Sequence, residues 1–365
     1  MATSAYIHIP FCKSKCKYCS FVSYTNQNSL LQKNYINTLL KEINYYYKKE
    51  PLKTLYIGGG TPSLLKIDSL KKILNCFNFS KNPEITIEVN PETVDYTYLA
   101  ELYNSGFNRI SIGVQSFNDN ILKTIGRIHN AETALKAVKS AQKAGFKNIN
   151  TDFIYGLPEQ STEDFINDLK IAADMDVQHI SLYGLKIEEG CEFYKKPPEN
   201  IADDDTQADM YLMAIETLEK YGYKHYEISN FACCGFESRH NLNYWEDEEY
   251  YGFGAAAHGY IDNRRYANYT NLQQYKTHYE TKQYIEDIDK QKHLEEMIFL
   301  GFRKADGINT ARINETFSIN FEEYYKKIIE KYLCTGHLLK TNTGYKLSNE
   351  GFLISNIILS DFIEC

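Results

Sequence analysis

The sequence predicts an α/β chain, a parallel sheet joined by crossover helices and followed by a smaller, mainly helical part. Three observations predict it. Short apolar runs of strand composition recur at 5–9, 54–57, 85–89, 109–113, 148–155 and 179–185. Helical periodicity occupies the intervals, at about 29–48, 68–78, 93–105, 131–145 and 161–174. Residues able to carry chemistry fall just after the strands and rarely within the helices. Strands alternating with helices imply parallel pairing through crossovers.

Taken in order, the first strand runs into Cys12, Cys16 and Cys19, spaced C-x3-C-x2-C. The second ends in the run Gly58, Gly59, Gly60, Thr61, Pro62, and Glu88 closes the third. Gln115 follows the fourth, and Asp152 with the G-L-P turn at 156–158 marks the fifth. The carboxyl ends of a parallel sheet open onto one face, where ligands bind, so these residues are expected to converge on one site. The helix near Thr162 carries its own start signal, Ser161 followed by Glu163 and Asp164.

Near residue 200 the rhythm changes. Asp203, Asp204 and Asp205 open a helix to about 221, and an aromatic, glycine-rich stretch follows over 223–269. From about 291 the chain reads as helices and a hairpin-like segment at 338–347, similar to a small winged-helix module. The division expected is 1–200 for the sheet and its site, 201–285 for an extension, and 286–365 for a small C-terminal domain.

Of the 365 residues, 43% are hydrophobic and 24% charged, as in ordinary globular proteins. A net charge of −8 argues against a broad nucleic-acid surface. No apolar run spans a bilayer and the first residues lack a signal-peptide core, so the cytoplasm is the expected compartment. Nine cysteines, unevenly clustered, suggest metal or redox chemistry rather than a disulfide framework.

The cysteine triplet is one ligand short of a closed zinc site or a ferredoxin-type cluster. A centre held by three thiolates keeps one position for a small molecule. Buried unligated thiols and a closed zinc site are the other readings at this point. The glycine run lets backbone approach a ligand closely, but no Gly-Lys-Ser/Thr follows and the spacing is not a dinucleotide fingerprint. Glu88 and Asp152 can accept from ribose hydroxyls or an ammonium, and Arg127 offers a fork for a carboxylate. Together these suit a zwitterionic amino-acid nucleoside.

These residues, with E-V-N-P at 88–91, G-V-Q-S-F at 113–117, G-R-I-H at 126–129 and D-F-I-Y-G-L-P at 152–158, resemble the radical S-adenosylmethionine (SAM) superfamily. More narrowly, they are similar to the oxygen-independent coproporphyrinogen III oxidase group, the HemN decarboxylases and their HemW paralogues. The resemblance runs from about residue 5 to 260 and more weakly beyond. It implies an open (β/α)6 partial barrel and a [4Fe–4S] cluster on Cys12, Cys16 and Cys19, with SAM chelated at the free iron. It also implies a SAM site lined by Tyr6, Tyr18, Gly59, Gly60, Thr61, Glu88, Gln115, Arg127 and Asp152.

Within that group, the decarboxylases carry a further cysteine two residues after the triplet and a longer leading segment. Here that position is Phe21, and four residues precede Ala5. Both departures favour the HemW branch over oxidative decarboxylation of a porphyrinogen, which stays as the alternative. The H-N-x-x-Y-W pattern at 240–245 matches that branch. The resemblance thus implies heme bound through His240, Asn241, Tyr244 and Trp245. It also implies delivery of heme to acceptor hemoproteins such as membrane-bound respiratory cytochromes, from the cytoplasmic side, by a chain able to form a homodimer. An imidazole can ligate heme iron, and Tyr and Trp offer flat apolar area. His258 is a second candidate ligand but is expected to be a satisfied core histidine, and His129 a structural one. Cys233 and Cys234 are expected to be small buried residues; Cys76, Cys191, Cys334 and Cys365 are expected to be inert.

Overall fold

The computed structural model describes residues 1–25 and 28–363; Cys365 lies outside them. Six parallel strands, β1 (Ser4–Ile9), β2 (Leu52–Gly59), β3 (Phe79–Val89), β4 (Arg109–Gln115), β5 (Ile149–Tyr155) and β6 (His179–Gly184), stand side by side in chain order. Between them lie α1 (Ser29–Tyr46), α2 (Ile67–Leu74), α3 (Tyr96–Asn104), α4 (Asp119–Thr124), α5 (Ala131–Ala144) and α6 (Thr162–Asp174). All six expected strands and five expected helices are present. The short α4 is additional; its Asn118 cap accepts from the backbone N–H groups of Asn120 and Ile121. Ser161 and Asp164 form a reciprocal capping box at the start of α6.

Register explains the sheet's two faces. Ile7 pairs with Ile57, Ile57 with Ile87, and Ile87 with Ile110, so one row of buried aliphatics faces the helices. The alternate row is polar: Thr54 and Tyr56 on β2, Glu84, Thr86 and Glu88 on β3, Arg109 and Ser111 on β4. Asn150 and Asp152 on β5 and His179 and Ser181 on β6 continue it. Side chains alternate along a strand, so the barrel keeps an apolar shell outside and a hydrophilic interior.

After α7 (Glu192–Lys195) and α8 (Asp204–Lys220), the chain extends both edges of the same sheet. The hairpin β7 (Lys224–Glu227) and β8 (Asn230–Ala232) adds to β6. On the far side, β9 (Tyr250–Phe253) pairs parallel to β1, followed outward by β10 (His258–Ile261), β11 (Arg264–Ala267) and β12 (Tyr284–Asp287). Between these edges α9 (Arg239–Trp245) enters the amino end of the barrel, and α10 (Leu272–His278) packs near α1.

The C-terminal part begins with α11 (Lys290–Gly301). It then combines β13 (Ile308–Asn309), α12 (Thr310–Phe317), α13 (Phe321–Tyr324) and α14 (Lys326–Cys334) with a hairpin of β14 (Leu338–Lys340) and β15 (Gly344–Leu347), ending in α15 (Asn349–Leu353) and α16 (Ser355–Ile363). Its three-stranded antiparallel sheet has the order β13-β15-β14. Lys304 and Arg312 both pair with Glu246 just beyond α9. Among the described residues no helix is long and apolar enough to cross a membrane.

Candidate cluster and cofactor site

The carboxyl ends of the strands surround a cavity of about 570 Å³. Its wall includes Cys12, Cys16 and Cys19 from the loop after β1, and Tyr18, Gly59, Gly60, Thr61, Glu88, Gln115, Arg127 and Asp152. The chain order of strands therefore assembles eleven of the twelve cluster and SAM candidates on one surface, as the strand-end argument requires. Tyr6 is the exception: it faces an adjoining chamber, its hydroxyl 3.1 Å from His8 Nδ1.

The three thiols are half-buried and free of disulfides. Burial pushes the Cys12 and Cys19 thiols up. The Thr61 hydroxyl lies 3.6 Å from Cys12 Sγ, and Arg127 donates to Cys16 Sγ at 3.4 Å. Among the described residues, no three His, Cys, Asp or Glu side chains group closely enough to hold one metal ion. A cluster makes no such demand, because each thiolate binds its own iron. Three thiols on one cavity wall beside a guanidinium that offsets thiolate charge fit a cluster better than a closed zinc site.

Arg127 is also held by its second amino group, which donates to the Gly113 carbonyl at 2.7 Å and to Asn90 Oδ1 at 3.0 Å. Asn90 in turn donates to Thr61 at 3.1 Å, tying the second, third and fourth strand ends together. His129 Nε2 donates to the Val114 carbonyl at 3.1 Å, and its Nδ1 lies 3.3 Å from Glu92; it is structural, as expected.

Glu88 accepts from the Tyr56 hydroxyl at 2.8 Å and from the Gly59 N–H at 3.0 Å. Burial first, and then the charge of Asp152, raises its pKa to about 7. Burial likewise raises Asp152, opposed by hydrogen bonds from Ser111 and Asn150. These are two costly carboxylates facing one cavity, the condition in which a cationic ligand gains most.

The glycine run has a specific steric cause. A Cβ on Gly60 would stand 2.7 Å from the Phe11 carbonyl oxygen, and Gly59 has φ +111° with its missing Cβ directed at His8. The loop thus packs flush against the cysteine loop. Gln115 holds φ +69° where the β4–β5 register slips past Val114. This strained, bulged position turns the end of β4 toward the cavity.

Tyr56, Asn90, Ser111 and Tyr183 also line the cavity and were not anticipated. The signal was present: each strand alternates polar with aliphatic residues, whereas parallel strands covered on both faces read as continuous apolar runs.

At the opposite, amino end, α9 carries the 240–245 pattern. Glu84 accepts from the backbone N–H groups of Arg239 and His240 at 3.0 and 2.9 Å, fixing the start of the helix. His240 is 1% exposed. Its Nδ1 lies 2.7 Å from Thr54 Oγ1 and its Nε2 lies 2.8 Å from the Tyr244 hydroxyl. Thr54 donates to Ser4, and Ser4 donates to Asn243. That chain makes Nδ1 the donor and leaves Nε2 accepting from Tyr244. The ring stacks on Tyr56 at 5.2 Å, and burial lowers its pKa to about 3. His240 is therefore a satisfied core histidine, with both nitrogens engaged. Trp245 is half-buried, its indole N–H directed at the buried Glu227, and Asn241 is half-buried in the first turn of α9.

His258 is the reverse case. It was expected in the core and is exposed, because β10 turns its side chain toward the chamber rather than into the sheet's packing. Cys234 is exposed and Cys233 half-buried, not both buried. They follow β8 beside the amino end of β6, on the opposite side from the cysteine triplet.

Comparison with known proteins agrees with this geometry. A Radical SAM superfamily model matches residues 6–172 and a HemN C-terminal domain model matches 288–354. The heme chaperone HemW of Lactococcus lactis is 36% identical, covering 99% of this chain and 97% of that protein. The corresponding Bacillus subtilis protein is 34% identical over 99% of both. This chain belongs to the HemW family of the radical SAM superfamily. The Escherichia coli heme chaperone HemW is 39% identical over 71% of this chain and 70% of its own length. The solved structure of the Escherichia coli coproporphyrinogen III oxidase HemN, a radical SAM enzyme, superimposes with a TM-score of 0.87. That match covers 99% of this chain and 90% of the other at 22% identity, a likeness of fold.

Proposed function

We propose that this protein is a heme chaperone on a radical SAM barrel: it holds a [4Fe–4S] cluster and SAM, binds heme, and passes it to acceptor hemoproteins. Cys12, Cys16 and Cys19 hold the cluster, whose open iron supplies a site that chelates the amino and carboxylate groups of SAM. Arg127 orients the carboxylate end, and Glu88 and Asp152 receive the ammonium and ribose hydroxyls. Tyr18, Gly59, Gly60, Thr61 and Gln115 shape the remaining wall.

The observation that carries the heme reading, beside family membership, is a chamber of about 500 Å³ that shares Ser20, Phe21, Gly59 and Glu88 with the cluster cavity. Of the 240–245 residues, Tyr244 lies on its wall. His240 holds the Tyr244 hydroxyl, and we assign it a positioning role, with Asn241 and Trp245 anchoring α9. Phe21, 66% exposed at the rim of both spaces, stands where the decarboxylases keep a thiol. We place this work in the cytoplasm, at the inner membrane face where acceptor cytochromes would be met, without coproporphyrinogen oxidase activity.

The test is anaerobic reconstitution with iron and sulfide followed by hemin titration. Expected are a brown protein, a Soret shift on hemin addition, and no protoporphyrinogen from coproporphyrinogen. An unchanged Soret band removes the chaperone reading; protoporphyrinogen formation replaces it with the decarboxylase.

A further inference from the structure

We infer that Asp168, on α6 and outside the cavity, is a positioning residue of the SAM site: it holds the end of β4 and the start of α4 so that Gln115 and Arg127 face the cluster cavity. The inference rests on the SAM-binding reading above and adds a residue to it. Asp168 is 2% exposed, on the same buried face of α6 as Phe165, Leu169 and Ala172. A carboxylate in such packing is costly unless its oxygens are bonded. Both are, and by one short segment: Oδ2 accepts from the Ser116 hydroxyl at 2.7 Å and Oδ1 from the Phe117 N–H at 2.8 Å.

That segment leaves the sheet at a strained point. Gln115, immediately before it, has φ +69° and sits where the β4–β5 register slips. Ser116 Oγ accepts in turn from the Asn118 N–H at 3.0 Å, and Asn118 caps α4. From α4 the chain returns to the cavity. The Leu122 carbonyl accepts from the Arg127 N–H at 2.8 Å, and the Ile125 carbonyl accepts from the N–H of Lys17, beside Cys16, at 3.1 Å. Gln115 and Arg127 both line the cavity, so one acid stands behind both of them and behind the cysteine loop. A hydrocarbon at 168 would avoid the cost of a buried acid, but it would leave the Ser116 hydroxyl and the Phe117 N–H without their acceptor.

The SAM affinity of the cluster-loaded full chain, measured by equilibrium dialysis, tests this. Asp168→Ala is expected to raise the SAM Kd about tenfold or more with iron content retained. The change that SAM induces in the electron paramagnetic resonance spectrum of the reduced cluster should need correspondingly more SAM. Asp168→Asn keeps an acceptor for the Phe117 N–H and should restore most of the affinity. Ile313→Ala, which opens a cavity in α12 of the C-terminal part, controls for lost stability and should bind SAM as the wild type does. Ser116→Ala leaves the acid and removes one donor. It should raise the Kd about threefold, and it carries the test if Asp168→Ala does not fold. A wild-type Kd in Asp168→Ala, or in Ser116→Ala standing in for it, overturns the assignment while SAM binding stands; an equal loss of affinity in Ile313→Ala does the same. A wild type that binds no SAM overturns the underlying reading.

Discussion

The two ends of the barrel are built from the same strands and the same alternation, yet they do opposite things. At the amino end, polar interior residues are spent on one another. Asn150 donates to Ser111 at 2.7 Å, His179 lies 2.6 Å from Asn150 and 2.8 Å from Tyr226, and α9 closes the floor through the Thr54–His240–Tyr244 chain. At the carboxyl end, Cys12, Cys16, Cys19, Glu88 and Asp152 face a cavity. A polar interior is thus a site where its chargeable groups border open space, even though chain partners hold Glu88, Asp152 and Cys16 in place. Tyr56 joins the two layers, stacked on His240 below and donating to Glu88 above.

This contrast can be broken at each end. The largest effect is expected from Cys16→Ala, which removes one of three thiols. Iron content and brown colour should be lost after reconstitution while the melting curve of the unloaded protein barely moves. His240→Ala should do the converse. It strands the Tyr244 hydroxyl, removes one of the two partners of Thr54 and leaves a cavity, costing about 2–4 kcal/mol, read by denaturant unfolding. Iron loading of the folded fraction should persist. Should His240→Ala remove the cluster without altering stability, the floor is not the closed layer described.

A smaller effect is expected from Arg127→Lys. Losing the fork that meets both Asn90 and the Gly113 carbonyl should weaken SAM about tenfold, measured by equilibrium dialysis, with the cluster retained. The finest test is pH. Glu88 has a folded pKa of about 7 against an ordinary 4.5, so it is largely protonated below that range. SAM affinity should rise as pH increases through 7 and level off above it, and Glu88→Gln should flatten the profile. The sign for stability is opposite: a raised carboxyl pKa stabilises most below 4.5, and that contribution is lost as pH rises from 4.5 through 7. Unliganded wild type should lose stability over that window relative to Glu88→Gln.

Much of this was legible because it is local. Apolar runs, helical periodicity and strand-end motifs predicted β1 to β6 and five helices of the barrel, though β3 begins at Phe79, well before the expected start at 85, and α4 was not expected. The convergence of the cysteine triplet with Glu88, Gln115 and Asp152 followed from parallel topology alone, whereas Arg127 joined them through the family resemblance. Less legible were Tyr56, Asn90, Ser111 and Tyr183, ordinary residues made relevant by facing inward. Tyr6 lines the adjoining chamber, where it meets Gly59 and Glu88 but not the cysteines, and β9, nearly 250 residues away in the chain, supplies Tyr250 to the same wall.

What the sequence by itself determined was the barrel, the face on which ligands would gather and the family. Each depends on short-range patterning and on the fixed handedness of crossovers. What only the tertiary structure decided was the state of the two histidines. His240, in the most suggestive pattern, is closed by Thr54 and Tyr244, while His258, expected to be satisfied in the core, is exposed at the start of β10. Whether an imidazole keeps a lone pair free depends on what packs across from it, and those partners come from strands distant in the chain.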